Sequence, residues 1–208
     1  MMITVLLLLG AYLLGSIPSA VWIGKRFYGV DVREHGSRNA GATNTLRVLG
    51  RRAALPVFAI DFLKGFAAVK LSWLSVYPAD SGEMFTLRIA LIVAVVLGHI
   101  FPIFARFKGG KGVATLAGAV LSMATFPLLL SMVTFVVVLL LSKYVSLSSI
   151  TAGISFPLYL AFVFHESPQM VWFGVLVAAV LLVTHRKNIR RLLNGTESKI
   201  YLFRKKKP

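Results

Sequence analysis

The stretch RFKGGKGVATLAG, residues 106–118, places three cations and three glycines within the seven residues 106–112. Glycine permits backbone conformations in which several N–H groups converge, and lysine adds positive charge, so the pattern predicts an anion site. It departs from a Walker A loop, because Ala105 replaces the first glycine and Gly112 follows Lys111 where Ser or Thr is required. Nucleotide hydrolysis is therefore not indicated, and a plain basic turn between helices is the alternative.

A second loop, GSRNAGATNTLR at residues 36–47, carries hydroxyls, amides and arginines where Lys and Glu would suffice for solubility. Its neutral and charged donors are Ser37, Asn39, Thr43, Asn44, Arg38 and Arg47. That mixture suits a phosphate group. A capped turn flanked by topology-setting arginines is the alternative.

A third basic segment begins HRKNIRR at residue 185 and continues to Glu197. His185 and Asn188 are three residues apart, so they share one face if the preceding helix continues past Thr184. The alternative interpretation is a polybasic helix next to the membrane that binds anionic lipid.

The composition shows which elements must position these loops. The 208-residue chain is 57% hydrophobic and only 14% charged, and its mean hydropathy is +0.80, which indicates an integral membrane protein. The net charge of +16 comes mostly from cations beside apolar segments, where they set topology and attract lipid headgroups, so no nucleic-acid partner is expected. The absence of cysteine excludes disulfides, thiolate metal sites and cysteine nucleophiles.

Six apolar runs follow one another along the chain: 3–24, 53–76, 87–105, 113–142, 146–164 and 170–184. The fourth is long enough for two short helices, and Pro127 disfavours helix at Phe126, which predicts a division near 125–127. The chain therefore has six or seven spans.

The distribution of charge decides between six and seven spans. Segments 25–52, 106–112 and 185–208 are basic, whereas loops 78–86 and 165–169 carry acids. Seven spans place all three basic segments on one side, and six would export the most basic one. We expect an all-α integral membrane protein of one domain, 1–208, with seven transmembrane helices and short amphipathic or re-entrant pieces in its cytoplasmic loops. Its N-terminus would be outside, and residues 185–208 would form a basic cytoplasmic tail.

Three ionisable residues, Asp61, Lys64 and His99, fall inside predicted spans, where such groups are costly and tend to mark a cavity or an internal pair. Asp61 and Lys64 either neutralise each other or serve a substrate, and His99 is expected to be structural.

Two kinds of site are missing from the sequence. The seven acids include no pair at metal-ligand spacing, so no metal site is expected. No histidine has an aspartate five residues later, so the His-x4-Asp dyad of acyl-CoA-dependent glycerolipid acyltransferases is absent.

Three blocks together carry a family resemblance: GSRNAGATNTLRVLG at 36–50, GHIFPIFARFKGGKGVAT at 98–115 and HRKNIRRLLNGTE at 185–197. They resemble the three motifs of the acyl-phosphate:glycerol-3-phosphate acyltransferase family, and GSIPSA at 15–20 and DFLKG at 61–65 are similar to lesser signatures of that family. One departure is Ala40, where many members have proline, which loosens the turn but removes no donor.

The resemblance implies transfer of a fatty acyl group from acyl phosphate to the 1-hydroxyl of glycerol 3-phosphate. The products would be lysophosphatidic acid and phosphate, in the first step of phospholipid synthesis, with no cofactor. It further implies a bacterial inner-membrane protein with a cytoplasmic active site, the lipid bilayer as its surroundings, and a functional link to the enzyme that produces acyl phosphate. A transporter or channel for organic phosphates is the alternative function.

The resemblance also assigns roles to residues. The catalytic group would be Ser37, Lys111, His185 and Asn188. Substrate binding would fall to Arg38, Asn39, Gly41, Thr43, Asn44, Arg47, Lys108, Gly109, Gly110, Gly112, Thr115 and Glu197, the last by orienting a cation. The general base is open between His185, whose ordinary pKa is about 6.5, and a substrate phosphate, whose second pKa is about 6.

Overall fold

The computed structural model describes residues 2–201, and within that range it contains helices and loops only. It divides into two compact units, one up to Thr125 and one from Phe126 onward. The part of the predicted basic tail from residue 202 onward lies outside the described residues.

The first unit contains six helices: α1 (Met2–Gly15), α2 (Ser19–Tyr28), α3 (Ala42–Leu49), α4 (Arg51–Lys70), α5 (Gly82–Ile100) and α6 (Val113–Leu121). Short 3-10 turns lie at Val32–Glu34, Leu71–Leu74 and Ile103–Ala105. Helix α7 (Thr125–Ser142) begins at the boundary, and the second unit continues with α8 (Val145–Phe162), α9 (Pro168–Thr184) and α10 (Arg186–Leu193).

The first predicted span is interrupted. Helix α1 ends at Gly15 and α2 begins at Ser19, because Pro18 has no N–H to continue the helical ladder and disfavours helix at Ile17. The break exposes the carbonyl of Ile17 to side chains of other helices. The fourth apolar run is divided as predicted, but the break lies at residues 122–124 rather than 125–127. Phe126 is helical, because Pro127 falls in the first turn of α7, where its missing N–H is not needed.

Close backbone contact holds α4 against α6 and α1 against α5. An added Cβ would stand only 1.9 to 2.2 Å from a backbone oxygen of the facing helix at Gly15, Gly65, Gly98 and Gly118. Lipid tails are as apolar as leucine, so helices in a membrane associate through such close packing rather than through hydrophobic exclusion. These glycines therefore set the helix spacing of the first unit.

By length and composition alone, four segments of the described chain could cross a membrane: Met2–Tyr28, Gly82–Ala105, Thr125–Ser142 and Val145–Phe162. Helices α9 and α10, bent by 64° at His185, make a fifth if they count as one broken span. Helix α4 has 20 residues, about 30 Å, but carries internal charge, and α6 has nine residues, about 14 Å. The count of seven spans and their orientation stay predictions.

We expect Gly118→Ala to destabilise the protein, because the new Cβ would stand 1.9 Å from the Phe62 carbonyl oxygen and force α4 and α6 apart. Overpacking of this kind costs roughly 1–3 kcal/mol. Thermal unfolding in detergent measures it. Gly82→Ala is the matched control, since nothing lies within 4 Å of a Cβ there. Equal melting temperatures for the two variants would contradict the packing argument.

Candidate active site

A buried carboxylate organises the first unit. Asp61 on α4 is 2% exposed, and its Oδ1 accepts hydrogen bonds from Ser19 Oγ and Lys64 Nζ, each at 2.8 Å. The Lys64 ammonium also donates to the Ile17 carbonyl at 2.9 Å, in the break between α1 and α2. A buried charge is tolerated only when it is paired and hydrogen-bonded. The pair therefore fixes α4 to the α1–α2 junction.

The imidazole of His99 extends this cluster to two more helices. Its Nδ1 lies 3.6 Å from Asp61 Oδ1 and shares a 3.1 Å hydrogen bond with Thr115 Oγ1 on α6. His99 is 6% exposed and Thr115 is fully buried. The polar cluster Ser19, Asp61, Lys64, His99 and Thr115 thus joins α2, α4, α5 and α6.

The glycine loop lies directly on His99. Gly110 N–H donates to the His99 carbonyl at 3.1 Å, and Gly109 N–H donates to the Ile100 carbonyl at 3.2 Å. An added Cβ would stand 2.0 Å from His99 O at Gly109 and 2.1 Å from His99 Nε2 at Gly110. These two N–H groups therefore satisfy the C-terminal end of α5, and the glycines are needed for close approach rather than for the convergent N–H groups that the sequence suggested.

A small cleft with a volume of about 10 Å³, room for about one water molecule, opens beside the polar cluster. Its lining includes Ala40, Asp61, Lys64, His99, Gly109 and Gly110. The two phosphate-like loops of the sequence, 36–47 and 106–112, therefore meet at one cleft.

Asn44 shapes the first loop from inside. Its Nδ2 donates to the carbonyls of Val32, at 2.7 Å, and His35, at 3.1 Å, while its Oδ1 accepts the Ser37 N–H at 2.8 Å. The amide is 1% exposed, so it holds the backbone turn that leaves Ser37 and Arg38 exposed.

An ion pair fastens the first loop to the second. Arg33 donates to both carboxylate oxygens of Asp31, at 2.9 and 2.7 Å, and its Nη1 donates to the Ala105 carbonyl at 2.9 Å. The Arg33 hydrogen bond holds the pKa of Asp31 well below its usual range, although burial opposes the shift. The segment before residue 36 is thereby fixed to the segment before residue 106.

Both loops lead into helix N-termini. Helix α3 begins at Ala42 after Gly41, and α6 begins at Val113 after Gly112, and neither capping glycine has a side chain to accept the first N–H groups. First-turn N–H groups and the positive end of the helix dipole favour an anion. Each loop therefore ends where a helix begins.

The remaining predicted residues of these loops differ in exposure, and Arg47 lies in the last turn of α3. Lys108 is exposed, whereas Asn39, Thr43, Arg47 and Lys111 are half-buried. The first unit thus brings together every predicted site residue between Ser37 and Thr115 on two adjoining loops and the helices they precede.

A second carboxylate organises the second unit. Glu197 Oε1 accepts hydrogen bonds from Ser146 Oγ, at 2.8 Å, and Asn188 Nδ2, at 2.7 Å, and its Oε2 accepts one from Arg191 Nε at 2.6 Å. Burial raises the pKa of Glu197, but the hydrogen bonds from Arg191, Asn188 and Ser146 outweigh it and keep the pKa below its usual value. We call Glu197 and its three donors the carboxylate clamp.

His185 lies at the junction of α9 and α10 and is 2% exposed. The helix does not continue straight past Thr184, as the shared-face argument assumed, but turns by 64°. Nδ1 of His185 is 2.8 Å from the Leu181 carbonyl, which can only accept, so Nδ1 carries the proton and the basic lone pair is on Nε2.

Comparison with known proteins identifies the family. A sequence profile described as glycerol-3-phosphate acyltransferase matches residues 5–195, which is most of the chain. The chain belongs to the glycerol-3-phosphate acyltransferase family. A relative of that name from Salinibacter ruber is 46% identical, covering 97% of this chain and 93% of its own. Another from Bacillus velezensis is 43% identical, covering 97% of this chain and 100% of its own.

Two solved structures share the fold of this family member. One is PlsY (YgiH), an integral membrane glycerol 3-phosphate acyltransferase, in its glycerol 3-phosphate form, with a TM-score of 0.84 and 40% identity over 97% of this chain and 99% of that one. The other is the lysophosphatidic acid form, with a TM-score of 0.82 and 39% identity over 95% of each chain. This acyltransferase family member is thus an all-helical integral membrane protein.

Sequence reasoning missed two partners in this acyltransferase. Ser19 bonds to Asp61, and the signal available for it was only its place just after Pro18 in GSIPSA. Ser146 bonds to Glu197 from 51 residues away, for which no local signal exists. The mutual neutralisation considered for Asp61 and Lys64 is the arrangement observed.

We expect Glu197→Gln to lower the melting temperature at pH 7, since it removes the charge that Arg191 and Asn188 bind, at a cost of roughly 1–3 kcal/mol. Because the pKa of Glu197 is lower in the folded than in the unfolded chain, its stabilisation is full above the unfolded pKa of about 4.3 and is lost as pH falls through the folded pKa. The difference in melting temperature between wild type and Glu197→Gln should therefore become smaller below about pH 4. Exposed Glu166, changed to Gln, is the control; a pH-independent gap at Glu197 would refute the assignment.

Proposed function

We propose that this protein transfers a fatty acyl group from acyl phosphate to the 1-hydroxyl of glycerol 3-phosphate, producing lysophosphatidic acid and phosphate at the start of phospholipid synthesis. Family membership and the two PlsY forms, one named for glycerol 3-phosphate and one for lysophosphatidic acid, support the acceptor and the product. The acyl phosphate donor rests on the motif resemblance. It implies a working link to the enzyme that makes acyl phosphate.

One observation carries the proposal: two loops rich in phosphate ligands meet at a single cleft, each leading into a helix N-terminus. Both substrates present a phosphate, and two phosphates repel each other unless cations and N–H donors lie between and around them. The two loops supply both kinds of donor, cations from their Lys and Arg residues and N–H groups from the first turns of α3 and α6.

The roles divide between groups that bind and groups that position. We assign acyl phosphate to Ser37, Asn39, Thr43 and Arg47, with Arg38 beside them, and a phosphate to Lys108, Lys111 and the first N–H groups of α6. We assign a shaping role in these loops to residues whose contacts lie within the protein: Asn44, Gly41, Gly109, Gly110, Gly112 and Thr115.

The reaction needs orientation more than a strong nucleophile, because acyl phosphate is a mixed anhydride with a good leaving group. The 1-hydroxyl oxygen bonds to the carbonyl carbon, the bond from that carbon to the phosphate oxygen breaks, and inorganic phosphate departs with the electron pair. The hydroxyl proton passes to His185 Nε2 or to a substrate phosphate. Ser37 donates a hydrogen bond in this scheme rather than forming an acyl-enzyme.

His185 and Asn188 are assigned to the reacting hydroxyl. Leu181 sets the tautomer of His185 so that its basic nitrogen is Nε2. Glu197 takes one N–H of the Asn188 amide and pairs with Arg191, so it orients a cation and an amide rather than touching substrate.

We further propose seven spans in a bacterial inner membrane, with the N-terminus outside and the active site in the cytoplasm, as one functional domain. Asp61 and Lys64 pair within α4, which lowers the cost of placing this 20-residue helix across the bilayer. Helix α6 is short, but its close contact with α4 places it against protein, where a short crossing is tolerated.

We expect single cysteines at Arg52, Arg106 and Lys187, one in each basic segment, to resist a membrane-impermeant thiol reagent on intact cells. All three positions are exposed, and the chain has no cysteine of its own to interfere. Cysteine at Asp80, exposed in the acidic loop, should be labelled. Labelling at 187 from outside would overturn the seven-span count.

Purified protein in detergent should release phosphate and form lysophosphatidic acid only when palmitoyl phosphate and glycerol 3-phosphate are both present, and a chelator should have no effect. Lys111→Ala should lose at least about 100-fold, and Lys111→Arg should lose less, because a charge in a partly dehydrated site is not replaced by water.

Acylation from palmitoyl-CoA at comparable efficiency would refute the donor assignment. Absence of any reaction in detergent, together with uptake of an organic phosphate into vesicles that hold the protein, would instead establish the transporter alternative.

A further inference from the structure

We propose that His99 is a positioning residue for the acyl transfer. Its imidazole contacts Gly110 and thereby fixes the position of the loop that carries Lys108 and Lys111. The inference rests on the proposed function, which assigns a phosphate to that loop. His99 touches no substrate in this scheme. It acts through the two lysines.

The first argument is the kind of contact that each glycine makes. A Cβ at Gly110 would stand 2.1 Å from His99 Nε2 and 3.0 Å from its Cε1, so the imidazole side chain itself limits how close the loop can come. A Cβ at Gly109 would instead meet two backbone oxygens, His99 O at 2.0 Å and Ile100 O at 2.7 Å, and Pro102 Cδ at 2.6 Å. Neighbouring glycines are therefore restricted by different parts of α5.

The second argument is that contacts at Nδ1 fix the orientation of the His99 ring. Its Nδ1 lies between Thr115 Oγ1, at 3.1 Å, and Asp61 Oδ1, at 3.6 Å, and both partners are buried. Asp61 is itself fixed by Ser19 and Lys64. The ring therefore has one orientation available, with Nε2 toward the glycine loop.

The third argument concerns what a displaced loop would do. Lys108 and Lys111 flank the two glycines, so a shift of the Gly110 backbone moves both cations relative to the cleft. A misplacement near 1 Å can change a rate or an affinity by about 100-fold. Loss of an interaction that stabilises the ground state and the transition state equally raises KM and leaves kcat largely unchanged.

The test is a pair of double-mutant cycles with KM and kcat measured separately for glycerol 3-phosphate and for palmitoyl phosphate. His99→Asn keeps an amide nitrogen near the Nδ1 position for Thr115 and removes Nε2 and Cε1. Gly110→Ala alone should raise KM for one of the two substrates by about 10- to 100-fold. Adding His99→Asn should recover at least about 10-fold of that loss, because it opens the space that the new Cβ needs.

Gly109→Ala is the matched control, since its Cβ meets backbone that His99→Asn does not remove. That variant should be impaired with or without His99→Asn. Additive effects on KM in both cycles would overturn the proposal. So would an equal recovery of KM by His99→Asn at both glycines, because it would indicate a general loss of rigidity.

The same two cycles read on melting temperature in detergent test the contact without any substrate. Gly110→Ala should be destabilised and restored in part by His99→Asn, and Gly109→Ala should not be restored. An inactive wild type would refute the proposed acyl transfer, whereas an active wild type with additive KM effects would refute only the role of His99.

Discussion

A single buried carboxylate constrains the first unit. Asp61 is buried between packed helices, so its charge requires Lys64, Ser19 and the polar edge of His99 at the same time. The break at Pro18 leaves the Ile17 carbonyl available to Lys64, which would otherwise lack a second acceptor. Removing one partner of such a buried pair typically costs about 3–5 kcal/mol. The helices around Asp61 must pack so that all of these partners reach the carboxylate. These helices are α1, α2, α4, α5 and α6.

The buried acidic residues of this protein stabilise its fold by pairing with cations. Asp31, Asp61 and Glu197 are the buried acids among the described residues, and each lies against a cation, Arg33, Lys64 or Arg191. The three buried acids each pair with a cation, and these pairs hold the backbone in place. Glycines and hydroxyl side chains occur in the loops where a phosphate is proposed to bind.

Much of the candidate site could be predicted from local patterns, and the rest depended on distant partners. The length of the fourth apolar run predicted two helices there, although the break lies just before the position that Pro127 indicated. The purpose of Gly109 and Gly110 could not be predicted, because sequence shows that a Cβ is absent but not whether conformation, an N–H or close approach requires it. Ser146 and Glu197, 51 residues apart, leave no local trace of their contact.

The carboxylate clamp has a consequence for which parts of the chain the alignment of Asn188 needs. Within residues 2–201 the last helix ends at Leu193, yet the carboxylate that aligns Asn188 comes only at residue 197. The Ile200 N–H then bonds to the Lys143 carbonyl at 2.8 Å. A chain cut by a protease between Leu193 and Glu197 would therefore keep the helices of the described residues and lose the carboxylate that bonds to Asn188. The packing of the described helices and the alignment of Asn188 thus depend on different parts of the chain, and the second depends on a few residues that follow α10.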